Sequence, residues 1–427
     1  MRRLAKPGRP APRLTIFAAG CRLADGEEAG MQPSPNERGP YNGLTRAEPT
    51  LPSSAYWDIA AYQRDLEAIW YRNWLLVCRE ADLAQPLAFR TFRIGTQEVV
   101  VLRDETGELR AFHNTCRHRG SQLCQQSEGR LKARLITCPY HAWSYSLHGD
   151  LVRVPSKSLP DGFDKADHPL YRVALSVWRG FVFVNLAEDA AGSAETSFDP
   201  ASGNLANWPL ETLLSGHVLR KVINCNWKVF WENFNECLHC PGVHKDLSRL
   251  VPIYGRGLMG RHDDPEWARH ADNDAPEFAG GLRAGAETWS RDGRVHGSVF
   301  SGLTPGERAA GQTYATSLPS MFVVGHVDYV RTVRLVPLGP EQTELTAEWL
   351  FSPEALADPA ADIDNIVAFG TQVLEEDADI CEVNQMGLRS MRHKAGVLMP
   401  EEYDLHRFHN WVRERHAALA HQSDLGR

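Results

Sequence analysis

Apolar and polar positions change period along this chain, and the changes mark out its segments. From Leu51 to Trp74 the aromatics Tyr56, Trp57, Tyr62, Trp70 and Tyr71 sit among acids and bases, which predicts a helical lead-in. From Leu75 to about Glu188 short β-like runs take over, such as Glu98 to Leu102 and Phe181 to Val184, with Gly107, Gly149 and Gly180 as turns. That pattern predicts a small all-β domain over 75–188. Residues 189–207 are rich in Ala, Ser, Gly and Asp and read as a linker. Beyond them, over 208–427, strands such as Met321 to Val324 and Thr343 to Phe351 alternate with helical stretches. The expected fold class is therefore α+β: a small all-β domain plus a larger mixed domain with an antiparallel sheet and flanking helices. No internal repeat is evident. Residues 261–310 are Gly-, Asp- and Arg-rich with little periodicity, and predict long loops that cover a site.

Two helical stripes carry polar passengers. Trp227, Phe230, Trp231, Phe234 and Leu238 recur at helical spacing, while Glu232, Glu236 and His239 form a second stripe on the same predicted helix. A plain solvated face is the ordinary reading of such a stripe, but here aromatics flank it on both sides. Farther on, Ile363, Ile366, Val367, Val373, Leu374, Ile380 and Cys381 make one apolar face. Asp377 falls on that face, where a carboxylate is costly unless paired or metal-bound. Glu375, Glu376 and Asp379 fall off it and are expected to be solvated.

Composition narrows the partners. Of 427 residues, 46 are Lys or Arg and 54 are Asp or Glu, a formal net charge of −8, and no long basic tract follows residue 13. Nucleic acid and anionic membrane surfaces are therefore not expected partners. No apolar run approaches the length that spans a bilayer. Nine cysteines do not form the pattern of a secreted disulfide framework, so the reducing cytoplasm is the expected location. Residues 1–13 are basic and Pro-rich, and Leu14 to Gly20 is a brief apolar run before Cys21. Signal-peptide and lipoprotein readings fit this run poorly. A disordered leader over 1–50, or a true start at Met31, fits better.

The chemistry begins with two short loops, Cys116-Arg117-His118-Arg119-Gly120 and Cys138-Pro139-Tyr140-His141-Ala142-Trp143. Each offers one thiol and one imidazole to a shared centre. Zinc also takes mixed sulfur and nitrogen ligands, but its usual motifs pair Cys with Cys and His with His. A Cys and a His in each loop suit a [2Fe–2S] cluster with two Cys on one iron and two His on the other. A second constellation joins His239, His244 and Asp377. The predicted helix would carry His244 off the face of His239, and Pro241-Gly242 offers a redirection that brings it back. Two imidazoles and a carboxylate make the triad of an oxygen-activating mononuclear Fe(II) site.

These motifs resemble the α subunits of Rieske-type ring-hydroxylating oxygenases, whose loops read C-x-H-R-G and C-P-Y-H-x-W. Ser121 and Tyr140 stand where respiratory Rieske proteins carry an extra disulfide, and Ala142 replaces a frequent Gly. The second family motif, N-W-K-x-x-x-E-N-F-x-E/D-x-Y-H-x-x-x-x-H, matches Asn226 to His244 except at Leu238, where Tyr is usual. The resemblance runs from about Tyr56 to the C-terminus. It implies that Cys116, His118, Cys138 and His141 hold the cluster, and that His239, His244 and Asp377 hold iron. It further implies that Glu236 bridges an iron-ligand His to His141 of a neighbouring subunit in a trimer. Asn233, three residues before Glu236, is the better placed of two further residues, the other being His326. With no G-x-G-x-x-G fingerprint here, NAD(P)H and flavin are expected on a separate reductase, and O2 is the co-substrate. Glu236 with Cys237 and Cys240, and Asn384-Gln385-x-Gly387, resemble betaine-, choline- and carnitine-type members, implying monooxygenation and N-demethylation of a betaine-like quaternary amine. Ring hydroxylation or cis-dihydroxylation of an aromatic acid is the alternative within the family. A Rieske electron carrier would have no use for His239, His244 and Asp377. A quaternary ammonium calls for an aromatic cage, for which Tyr314, Phe322, Tyr329 and Trp349 are conceivable walls, but at strand spacing most of them read as core.

Overall fold

A computed structural model describes residues 41–199 and 204–425. Its centre is an antiparallel five-stranded sheet in the order Leu214–Ile223, Gln342–Phe351, Val330–Gly339, Met321–His326, Gln312–Ser317. Alternation along each strand sends side chains to two different cores. Phe322, Val324, Val333, Leu335 and Trp349 face a core shared with the helix Trp227–Phe234 and the long helix Ile363–Leu388. Met321, Val323, Val330 and Leu350 face the opposite core. At Gly370 a Cβ would meet the Trp349 indole at 2.9 Å, so glycine there lets the long helix lie close to the sheet.

The cluster loops project from a separate small β assembly. Four antiparallel strands run Leu109–His113, Gln97–Arg103, Ala88–Ile94, Glu128–Arg130, and three more run Leu135–Thr137, Ser144–Ser146, Leu151–Arg153. Phe89, Val100, Leu102, Phe112, Tyr145 and Leu147 pack with Cys116 and Cys138 in its core. A third small sheet, Ala174–Trp178, Phe181–Asn185 and Leu75–Arg79, lies against the central sheet instead. Leu76 N–H donates to Ser320 Oγ at 3.0 Å, and Arg79 donates to the carbonyls of Leu210 and Leu213. Both ends of the segment expected to form the small domain are thus welded to the larger one.

The lead-in is helical over Ile59–Asp65 and continues as a wider turn over Leu66–Trp70. Asp58 caps its start by accepting from Ala60 and Ala61 N–H. Asp65 is buried against Lys228, accepts from Trp227 Nε1 at 3.1 Å, and meets His416 of the C-terminal helix Tyr403–Leu425. That network ties three segments far apart in sequence.

Outside the site, two expectations need correction. The leader was expected to be disordered through residue 50, but Glu48–Pro49 pairs with Val397–Leu398 and Asn42 donates to Asp263 at 3.0 Å. Residues 1–40, including Met31, lie outside the described residues. The expected linker is packed as well where it is described: Ala194 is fully buried and Phe198 stacks on Trp178 at 3.9 Å. The irregular stretch 261–310 agrees with the pattern and contains short helical turns separated by loops.

Candidate metal centres

The thiols Cys116 and Cys138 are buried in one cluster, while His118 and His141 are exposed with ring centroids 5.0 Å apart. Sulfur therefore lies inward and nitrogen outward. Tyr145 O–H lies 3.2 Å from the Cys116 sulfur and accepts from Arg117 N–H. Trp143 stacks under His118 at 4.8 Å, and Tyr140 lies against His141 at 3.8 Å. Ala142 has φ of 54°, a left-handed conformation that explains why glycine suits this position. Two adjacent thiols with two adjacent imidazoles fit a [2Fe–2S] group with sulfur on one iron and nitrogen on the other.

The second centre is built where the aromatic helix stops. Asn226 caps it by accepting from Lys228 N–H, and it ends at Phe234 rather than running on through Leu238. Leu238 is accordingly 39% exposed and is not on the core face. Glu236 lies in the turn that follows: its Oε2 accepts from the backbone N–H of Leu238 and, at 3.3 Å, from that of His239. Its Oε1 is 2.6 Å from His239 Nδ1. Pro241 then stands in the first turn of the short helix Cys240–Val243, where its missing N–H leaves nothing unpaired. A helical turn, not a sharp redirection at Gly242, brings His244 back, with the two rings 5.2 Å apart. Cys237 and Cys240 are joined as a disulfide across this turn; the other described cysteines are free.

The long helix delivers the third member of a set that could hold a metal ion. Asp377 Oδ1 lies 2.9 Å from His244 Nε2 and 3.5 Å from His239 Nε2. The donor atoms of His239, His244 and Asp377 all lie within 4.8 Å of one another. Burial disfavours charge on each group, yet the ion pairing wins. Hydrogen bonds from the two imidazoles hold the Asp377 carboxyl down at about 2, and Asp377 with Glu236 raises His239 to about 9. His244 is raised by Asp377 and Glu376 against the same desolvation. A divalent cation would replace the protons that hold this set together.

The expectation that Glu376 is solvated does not hold. Its Oε2 is 2.7 Å from His244 Nδ1, and its Oε1 accepts from Gln372 Nε2 at 2.9 Å. Gln372 also donates to Asp246. Each metal-facing imidazole thus has its far nitrogen on a carboxylate, Glu236 for His239 and Glu376 for His244. This is the arrangement that orients metal-bound histidines. The Gln372/Glu376 spacing was the signal for this support, but a one-face reading of the helix discards it. The Asn233 amide lies 3.3 Å from His239 Nε2, on the metal side of that ring. His326 is wholly buried on the neighbouring strand.

Similarity to known proteins agrees with this geometry. The family described as Ring hydroxylating alpha subunit (catalytic domain) matches residues 199–418, and the Rieske [2Fe-2S] domain matches residues 73–163. The glycine betaine monooxygenase oxygenase subunit of Chromohalobacter salexigens is 29% identical over 81% of this chain and 81% of its own. The chloroplastic choline monooxygenase of Arabidopsis thaliana is 29% identical over 86% of this chain and 82% of its own. Among solved structures, a quaternary ammonium Rieske monooxygenase in complex with L-carnitine superposes with a TM-score of 0.64 at 21% identity, covering 87% of this chain and 96% of that one. A naphthalene 1,2-dioxygenase from Rhodococcus sp. superposes with 0.65 at 20% identity, covering 86% and 94%. Those two fold likenesses are equal, so fold does not choose a substrate. No helix among the described residues is long and apolar enough to cross a membrane. With a Rieske [2Fe–2S] domain preceding a mononuclear-iron catalytic domain matched over more than half its length, this chain belongs to the Rieske-type ring-hydroxylating oxygenase α-subunit family.

Proposed function

We propose that this oxygenase removes a methyl group, as formaldehyde, from a small quaternary methylammonium compound of the betaine or choline kind. The observation that carries this reading is an aromatic wall beside the metal ligands. Phe369, Val373 and Asp377 follow one another at one-turn spacing on the long helix, and Phe369 and Val373 share a buried cluster with Cys240, Tyr254 and Trp289. Trp289 lies 6.4 Å from Phe369 and 6.2 Å from Tyr254, both edge-on. A quaternary ammonium has no N–H to donate, so aromatic faces are what attract it. The relatives named for glycine betaine and choline, similar over most of their length, support the same class.

In the overall reaction one atom of O2 enters an N-methyl C–H bond and the other leaves as water, with two electrons and two protons taken up. The resulting hydroxymethyl ammonium loses formaldehyde and a proton and leaves the tertiary amine. When bound, the cluster supplies electrons singly and the mononuclear iron supplies oxygen activation. His239, His244 and Asp377 hold the iron with three protein ligands, which leaves room for oxygen and substrate. Glu236 and Glu376 accept from Nδ1–H of the two imidazoles and so present Nε2 to the metal. Asn233 lies on that same side and would orient a polar group at the metal.

Electrons are supplied by a separate reductase that carries flavin and uses NAD(P)H. The exposed His141 and Tyr140 give the cluster an outward face, and Glu236 is the acid such a face would meet in a homotrimer. Electron transfer then runs from the cluster of one subunit to the iron of the next.

A single-turnover assay tests the reading. Iron-loaded protein, reduced without oxygen, is exposed to O2 with N-methyl quaternary amines and, separately, with aromatic acids. Formaldehyde in step with cluster oxidation is expected from the first set. A hydroxylated ring from the second would transfer the protein to the ring-oxidising branch.

A further inference from the structure

Strand register places a cation where the site has none assigned. Arg331 pairs with Val324 on one side and Trp349 on the other. Its side chain shares the parity of Val333 and Leu335, so it enters the helix-covered core. It is 5% exposed, and its Nε is buried without a hydrogen-bond partner. Among the described residues the guanidinium makes no ion pair. Other buried or half-buried cations here are matched: Lys228 by Asp65, Arg334 by Glu344 and the Val77 carbonyl, and Arg79 by the carbonyls of Leu210 and Leu213. The anionic carboxylate whose charge acts on Arg331 is Asp377, a member of the triad.

A second unpartnered group lies beside it. His326 follows Val324 by two on the adjacent strand and so shares the face of Arg331. It is fully buried, and neither ring nitrogen has a partner. Its ring stacks on Tyr329 at 4.2 Å and lies 5.3 Å from Trp289, the wall residue described above. Tyr329 O–H is already committed to the Trp289 carbonyl at 2.9 Å. The unfilled polar groups at the aromatic wall are thus the guanidinium, the imidazole and the indole N–H of Trp289 itself, and of these only the guanidinium carries a permanent charge.

We propose that Arg331, assisted by His326, binds a carboxylate of the substrate, which is therefore a zwitterionic quaternary methylammonium carboxylate and not the corresponding alcohol. This rests on the quaternary-amine reading given above. The physical case is that a guanidinium carries its charge at every accessible pH and presents a fork matched to two carboxylate oxygens. Left unpaired in a core it is costly, and a ligand carboxylate removes that cost on binding. With the carboxylate at Arg331 and the ammonium against Trp289, Tyr254 and Phe369, an N-methyl group is the part of the ligand left to face the metal ligands.

The test is anaerobic calorimetric titration of the iron-loaded holoenzyme with glycine betaine, choline and benzoate, using wild type, Arg331→Gln and Arg331→Lys. Wild type is expected to favour glycine betaine over choline. Arg331→Gln should weaken glycine betaine on the order of 10- to 100-fold while changing choline less than about threefold. Arg331→Lys should recover part of the loss, because charge returns without the fork. Equal binding of glycine betaine by wild type and Arg331→Gln, or equal loss of both ligands with the cluster spectrum intact, would overturn the proposal. Choline bound in preference to glycine betaine would overturn it too, while leaving the quaternary-amine reading in place. If benzoate alone binds and Arg331→Gln abolishes it, the carboxylate site stands and the quaternary-amine reading fails. As a folding control, Arg331→Met should not lower the thermal midpoint of ligand-free protein; a large drop would mark Arg331 as structural and overturn the assignment.

Discussion

Glu236 Oε1 and His239 Nδ1 are 2.6 Å apart, and the same carboxylate also accepts the backbone N–H of His239. One acid therefore fixes both where the ligand loop turns and which ring nitrogen faces the metal. Glu236→Gln keeps an acceptor oxygen but removes the charge. Both metal centres should remain filled, with transfer from cluster to mononuclear iron slowed on the order of 10- to 100-fold. Stopped-flow oxidation of the reduced cluster in the presence of O2 and substrate measures this. An unchanged rate would remove Glu236 from the electron route.

Glu376 holds His244 as Glu236 holds His239, and Gln372 holds Glu376. Glu376→Ala should weaken iron binding at the mononuclear site about 10- to 100-fold and leave the cluster spectrum untouched. Competition against a chelator reads out the affinity. No change would mean that packing alone, with His244 only 1% exposed, sets the ring.

How much of this was legible depends on whether a residue's role lies in its own segment. The paired Cys and His of 116–141 and the set His239, His244 and Asp377 stand out in the sequence because candidate metal ligands are particular residue types at particular spacings, and the structure brings each set together. The end of the helix at Phe234 was not visible. Apolar spacing continues to Leu238, while beyond Phe234 the Glu236 carboxylate accepts the Leu238 backbone N–H in a turn that periodicity does not register. Glu376 was misplaced because its partner is 132 positions away. Residues 41–50 look like a leader, yet they are tied down by the segment near Val397, which no local pattern announces. Arg331 shares its strand with a second arginine, Arg334, and only the structure shows that one is paired and the other is not.

The pair Lys228–Asp65 is buried at 1% side-chain exposure on both partners, with Trp227 and His416 completing the acid's hydrogen bonds. Asp65→Asn leaves a charged amine in the core. The expected cost is about 3–5 kcal/mol of unfolding free energy, measured by denaturant titration. A change under about 1 kcal/mol would mean water reaches the pair.

Asp104 closes a turn in the small β domain by accepting from Thr106 N–H and O–H, Glu108 N–H and Arg110 Nε. Burial works to raise its carboxyl, but these donors lower it from 3.8 to about 2. A depressed folded pKa means the stabilisation is complete above the unfolded value and is lost as pH falls through the folded one. The thermal midpoint of wild type should therefore exceed that of Asp104→Asn by a constant margin from about pH 5 upward, and the margin should shrink as pH falls from about 4 towards 2. A margin independent of pH would mean the turn is held by shape and not by charge.

The proposed electron route uses two metal centres carried by one chain and crosses a subunit boundary. Co-expressing equal amounts of a His118→Ala chain, which lacks the cluster, and an Asp377→Ala chain, which lacks the mononuclear iron, tests that most directly. Each variant alone should be inactive. In randomly mixed trimers, a quarter of the iron sites would be intact and follow an intact cluster, so activity should return to about a quarter of wild type. No activity in mixed trimers, with each variant keeping its remaining centre, would contradict electron transfer between subunits.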